Sequence, residues 1–198
     1  MAFVEPVTLE GRHVRIEPLA REHDAEVRAA AADGELWRLW YTSVPAPDKT
    51  IAWIEAALDM RARLGAMPFV IRETATGAVV GATRYFNVEA ANRRLEIGHT
   101  WYAKRVQRTA INTECKLLLL THAFETLDCI AVEFRTSFFN FQSREAIERL
   151  GAKQDGILRN HQISPDGTRR DTVVFSIIAN EWPAEKRHLA YRLERPGK

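Results

Sequence analysis

Val14 and Ile16 alternate with His13, Arg15 and Glu17 before Pro18 closes the run, and this period of two predicts a half-buried strand over residues 12–19. The pattern then changes. Residues 21–32 are rich in alanine and charged side chains, favour a helix, and stop at Asp33-Gly34. A second helix is predicted over residues 50–64, where Ile54, Ala57, Leu58 and Arg61 fall on adjoining turns ahead of Gly65. The β-rich runs 68–73 and 78–86 flank Thr74-Ala75-Thr76-Gly77 and read as an antiparallel hairpin, which residues 94–102 extend. Leu117, Leu118, Leu119 and Leu120, continued by Phe124 and Leu127, give the helix predicted over residues 113–127 a wide apolar surface to lay on that sheet. A strand over 130–136 follows, parallel to its predecessor if the intervening helix is a right-handed crossover. Next come a helix over 140–150 and two strands, 154–163 and 169–178, joined by the tight-turn sequence Ser164-Pro165-Asp166-Gly167. Asn180-Glu181-Trp182-Pro183 opens a last helix to about residue 193. The expected class is α+β (mixed α/β), one domain over residues 1–198, with no repeat, linker or low-complexity segment.

Composition narrows the function more than the fold. A chain of 198 residues, 46% hydrophobic and 27% charged, is ordinary for a globular protein. No run approaches the ~18–20 apolar residues of a membrane span. The N-terminus lacks the basic and apolar regions of a secretory signal, so the cytoplasm is expected. The net charge is only +2, with 28 basic residues interleaved among 26 acidic ones, which gives no support for a nucleic-acid partner. Cys115 and Cys129 stand in apolar contexts without His or Cys at ligand spacing, so they are expected to be buried free thiols, and no metal is expected.

The densest chemical signal is a strand that passes through a short polar loop into a strong helix. The first amides of that helix lack internal partners and its macrodipole is positive there, so the loop should cradle an anion such as a phosphate. Arg105, Arg108 and Arg144 are either a local basic patch for such an anion or solvated surface charges. The loop, Gln107-Arg108-Thr109-Ala110-Ile111-Asn112 and then Thr113, resembles the Gln/Arg-x-x-Gly-x-Gly/Ala pyrophosphate loop of the GNAT (Gcn5-related) N-acyltransferases, with Ala110 where the family usually has Gly and Asn112 where it has Gly or Ala. The segment from Phe138 through Asn140, Ser143 and Arg144 to Leu150-Gly151-Ala152 is similar to the Asn-x-x-Ser and terminal Leu-Gly-Ala of the RimJ/RimL-type branch.

This resemblance implies a GNAT fold: a central mixed, mostly antiparallel sheet, splayed between two parallel strands and flanked by helices. It implies acetyl-CoA as co-substrate and transfer of the acyl group to a primary amine, of a small molecule or a protein, by direct attack in a ternary complex. Trp101, Tyr102, Gln107, Arg108, Thr109, Ala110, Ile111, Asn112, Thr113, Asn140 and Arg144 are the residues expected at the cofactor. Glu96 is the candidate base, because alternation places it with Gly98 and Thr100 on one face of its strand and His99 on the other; the alternative is a strand glutamate paired with an arginine such as Arg84. Many family members carry a tyrosine seven residues after the Asn; here Ile147 stands there, and Ser143 is the candidate to assist the leaving thiolate, or else it caps its own helix. An oxyanion would be met by a backbone N–H near Trp101 or Tyr102. His161, with Arg159, could meet substrate or lie on the surface. Trp40 and Tyr41, between the first two helices, are the expected acceptor contacts. Two other readings stay open: succinyl-CoA or another acyl-CoA as donor, and a non-catalytic acyl-CoA-binding module. Oligomeric state is open too, a homodimer being common in the family.

Overall fold

A computed structural model describes residues 3–42, 44–164 and 166–195. Among the described residues, eight strands form one sheet and five α-helices cover its faces. In chain order the elements are β1 (Leu9–Glu10), β2 (Val14–Pro18), α1 (Asp24–Ala32), α2 (Thr50–Leu64), β3 (Met67–Glu73), β4 (Val79–Glu89), β5 (Arg94–Tyr102), α3 (Ala110–Thr121), β6 (Ala131–Ser137), α4 (Phe141–Glu148), β7 (Lys153–Ile163), β8 (Arg169–Ile178) and α5 (Trp182–Glu194). The strand order is β1-β2-β3-β4-β5-β6-β8-β7, and every pair is antiparallel except β5 and β6. This mixed, mostly antiparallel sheet is the architecture expected from the sequence.

The alternation seen in the sequence sets the two faces. On β4, Tyr85 points to α3 and gives its hydroxyl hydrogen to the Leu119 carbonyl at 2.6 Å. Its neighbour Arg84 points the other way, to the Met60 sulfur of α2 at 3.1 Å and over the Trp53 ring. Val14, Ile16, Phe69, Leu95, Ile97, Val132, Phe134 and Phe175 are all buried between the covers. Such burial is typically worth about 1.5–3 kcal/mol per large side chain. Glu114 ties α3 to the sheet edge: its carboxylate accepts the amides of Arg12, His13 and Val14 at 2.9, 2.6 and 2.8 Å.

Several boundaries move. The helix expected from residue 113 starts at Ala110, because the Thr109 hydroxyl caps it by accepting the Ile111 amide at 3.3 Å. It does not run on as an α-helix to residue 127 either: His122–Thr126 form a π turn, in which the Leu127 amide reaches back to the His122 carbonyl. The helix expected over 140–150 is shorter, with Asn140 as its cap rather than a member. Residues 21–23 form a 3₁₀ turn ahead of α1. In the last tight turn Gly167 holds φ at +84° as expected, while Pro165 lies outside the described residues. No helix among the described residues is long and apolar enough to cross a membrane.

Candidate active site

β5 and β6 stay paired for only three residues, Arg94 with Ala131, Leu95 with Val132 and Glu96 with Glu133. Beyond Glu96 each strand follows its other neighbour, β5 to β4 and β6 to β8, so the sheet opens into a wedge. A bulge sharpens the opening. Register slips between Ala82 and Arg84 on β4, and His99 takes φ of +49° on β5. This overturns the expected faces: Thr100 turns to the α3 side, where its hydroxyl meets Thr83 at 2.8 Å, and His99 turns to Phe86 at 4.9 Å between ring centroids. Simple alternation misses both because one extra residue reverses every side chain after it.

Glu96 is only 2% exposed, at the last paired position before the wedge. Asn87 donates to its Oε2 at 2.8 Å, and the Arg135 guanidinium lies 3.5 Å away. Arg84 is not its partner, since it serves Met60 and Trp53 instead. Asn87 reaches Glu96 because φ of +46° interrupts the alternation of β4 there. Arg135 also holds Glu133 at 2.8 Å, and Arg94 holds Glu133 from the other side. Burial raises the Glu96 pKa from 4.5 to about 7, against the lowering pull of Asn87 and Arg135. Gly98 makes room for this arrangement; a side chain there would strike the Phe86 ring at 2.5 Å. Burial lowers the pKa of neighbouring His99 to about 3, helped by Arg84 and Arg170, so its imidazole is neutral.

At the open end, the loop over residues 107–112 and α4 face one another. Arg108 supplies the left-handed turn at φ +62°, and Ala110 sits in ordinary helix at the first position, so Gly is not required there. Asn112 occupies the third helical position and Thr113 the fourth. The amides of Ala110 and Asn112 lie in the first turn, where the helix offers them no carbonyl; the Ile111 amide is taken by Thr109, and the Ile111 side chain is buried in the core. Gln107 fixes the loop by donating to the Tyr102 carbonyl at 3.1 Å and meets Gln142 of α4 at 3.5 Å. A phosphate fits this cradle: first-turn amides, a helix dipole and the exposed Arg108 beside it. Arg105 is paired with Glu73 at 2.7 Å, so of the two readings left open for it the structure favours a surface charge over a place in a basic patch.

Asn140 caps α4 by accepting the Ser143 amide at 3.1 Å. Arg144 stacks between Phe138 and Phe141 at 5.1 and 5.3 Å, with its Nε buried and unpartnered. The Trp101 ring packs toward Trp53 at 6.2 Å on the α2 face, with its Nε1 unpartnered, whereas Tyr102 points to the α3 face, its hydroxyl beside the Cys115 thiol. Trp40, 57% exposed, touches both Tyr41 and Phe139 at 5.6 Å, placing the segment after α1 against the residue before Asn140. His161 meets Thr172 at 3.1 Å on exposed β7, and Arg159 pairs with Asp171. Two furrows of about 460 and 390 Å³ lie on the α2 face and share Arg135 in their walls.

The acetyltransferase (GNAT) domain family model matches residues 13–153. The chain belongs to the GNAT acetyltransferases. A GCN5-related N-acetyltransferase from Brucella melitensis is 31% identical and superposes with a TM-score of 0.83, over 96% of this chain and 86% of that one. Mycobacterium smegmatis RimJ, solved with CoA-disulfide, shares the GNAT fold at 22% identity and a TM-score of 0.78, over 94% and 95% of the two chains. YdaF of Bacillus subtilis (strain 168), provisionally named a ribosomal N-acetyltransferase, is 33% identical over 110 residues. That match spans 56% of this chain and 59% of YdaF.

Sequence reasoning passed over Asn87 and Arg135, which contact Glu96, and Lys116 of α3, whose Nζ donates to the Thr100 hydroxyl at 2.8 Å. A bulge brings in the first, and a pairing beyond the reach of local pattern brings in the second. The third carried a signal: Lys116 precedes buried Leu119 and Leu120 by three and four residues, so the helical period already turns it inward.

Proposed function

We propose that the protein is an acetyl-CoA-dependent N-acetyltransferase that passes the acyl group directly to a primary amine with both substrates bound. The observation that carries this is the place of Glu96. In a GNAT chain, a buried carboxyl with a pKa near 7 stands where β5 leaves β6, between a helix end suited to phosphates and furrows open on the opposite face. When bound, acetyl-CoA supplies the acyl group as a thioester. The Ala110 and Asn112 amides hold its pyrophosphate, and Arg108 and Arg144 add positive charge. Thr109 and Thr113 border the same turn, while Gln107 keeps the loop closed against Tyr102. Asn140 turns its free amide N–H groups to the pantetheine arm, and Ser143 gives a hydrogen bond to the sulfur. The backbone N–H groups around Trp101 face the carbonyl oxygen. Glu96 receives the proton that the acceptor nitrogen sheds, while Trp40 and Tyr41 border the acceptor.

We favour a protein α-amine, ribosomal proteins first, as acceptor. YdaF's name points there, and the pKa values agree. A carboxylate near 7 takes a proton from an α-ammonium at about 7.7–8.0 almost without cost, whereas a lysine ammonium at about 10.4 holds it more than ~3 pH units tighter. Acetyl-CoA turnover against peptides with a free N-terminus and the same peptides N-terminally blocked, each carrying one lysine, tests this. Transfer to the free N-terminus is expected; equal acetylation of the blocked peptides would move the reading to lysine.

A further inference from the structure

Resting on the acetyl-CoA reading above, we propose that Lys116 is the acid of this site: its ammonium faces the departing sulfur and gives it a proton. Lys116 lies in the second turn of α3 and is 5% exposed. Its Nζ donates to the Thr100 hydroxyl at 2.8 Å and sits 5.9 Å from the Phe134 ring centroid. Thr100 belongs to the bulged part of β5, and Phe134 is the first residue of β6 beyond the last parallel pair. The ammonium therefore spans the wedge on the α3 face, across the sheet from Glu96.

An ammonium carries three donors, and this one uses a single neutral acceptor. No ion pair to Lys116 occurs among the described residues. The titratable groups around it are the Cys115 thiol on α3 and, against that thiol, the Tyr102 phenol on β5; Thr83 on β4 and Phe134 on β6 complete the surroundings. Glu114, the nearest carboxylate in sequence, is turned away to the amides of residues 12–14. A cation buried without a counter-charge is costly, and an anion arriving beside it removes that cost. A thiolate in the wedge is such an anion. Burial lowers the Lys116 pKa from 10.5 to about 8, close to that of a thiol, which makes proton transfer nearly even. Ser143 offers the sulfur a hydrogen bond but no net charge, and Ile147 offers neither.

The step balances. The bond from acceptor nitrogen to carbonyl carbon forms, the carbon–sulfur bond breaks with its electron pair going to sulfur, and the Lys116 proton moves to sulfur. Glu96 takes the one proton that the neutral amine's nitrogen releases on attack, and water afterwards reprotonates Lys116 and takes the proton back off Glu96.

The test is to titrate the thiol of bound coenzyme A by its ultraviolet thiolate absorbance, with desulfo-coenzyme A as blank, in wild type, K116M and K116R. An opposite charge at close range should hold the bound thiol about 1 pH unit or more lower in wild type and K116R than in K116M. With acceptor present, K116M should lose turnover by about 10²-fold or more at little change in acetyl-CoA KM. Identical thiol titrations in wild type and K116M overturn the inference and leave the acetyltransferase reading standing. Absence of any coenzyme A binding to wild type overturns both. If K116M does not fold, wild type alone decides, since a bound thiol that ionises no lower than free coenzyme A contradicts a facing ammonium.

Discussion

Replacing Glu96 by Gln should stabilise the protein and disable it at once, because the same buried charge serves one purpose and harms the other. The folded carboxyl, 2% exposed, has its pKa raised to about 7 from 4.5, so the native state binds its proton more tightly than the unfolded chain does. For a carboxyl shifted in that direction, stability falls as pH rises through 4.5 and levels off above 7. At about 1.36 kcal/mol per pH unit, the full penalty is roughly 3 kcal/mol. Glu96→Gln keeps the shape and removes this pH dependence. Relative to wild type, it should gain roughly 3 kcal/mol on going from pH 4 to pH 8, or about 6–12 °C in Tm for a chain of this length. Turnover should fall by about 10²–10⁴-fold at neutral pH. It should also lose the rise between pH 6 and pH 8, over which the wild-type carboxylate goes from about a tenth to about nine tenths ionised. Scanning calorimetry at the two pH values, paired with a pH–rate profile, measures both. Stability curves of wild type and variant that run parallel with pH, together with unchanged turnover, would refute the assignment of Glu96 as a buried base.

Ala110→Pro should fold normally, because proline suits the first helical position and Thr109 is already extended, as the residue before proline prefers; it should nevertheless weaken coenzyme A binding about 10-fold or more by deleting one amide donor, which calorimetry reads directly. Asn140→Ala should weaken coenzyme A binding, whereas Ser143→Ala should lower kcat more than affinity; equal and negligible effects would leave both as caps of α4. Glu114→Ala strands three backbone amides and should cost about 3 kcal/mol or more, seen in denaturant unfolding, with acetyl-CoA KM little changed in the folded fraction.

Local pattern reveals much of this fold because most strands obey a strict period of two and most helices carry clear caps. The strand through Val14 and Ile16, the hairpin across residues 74–77 and the crossover helix with Leu119 and Leu120 all follow from it. What escaped is non-local or irregular. Alternation puts His99 and Thr100 on the wrong faces, since nothing in Gly98-His99-Thr100 announces an extra residue in the ladder. Arg135 looks like any strand arginine until the sheet order sets β6 beside β5. With the helix expected from Thr113, Ala110 falls in the loop where the family usually has Gly; with Thr109 as cap it is an ordinary first-turn residue. Arg105 resembles a phosphate ligand by proximity in sequence, yet Glu73 on β3 claims it.

The most direct measurement is the fate of the acetyl group itself. Wild type and Glu96→Gln, both first shown to bind coenzyme A, are incubated with acetyl-CoA labelled in the acetyl carbon and with N-terminal peptides of ribosomal proteins bearing a free α-amine. Stoichiometric release of coenzyme A with label on the peptide amine, fast in wild type and slowed about 10²-fold or more in Glu96→Gln, is the expected result. Coenzyme A binding in both proteins with no label on any amine would contradict it, leaving a binding module on a transferase fold.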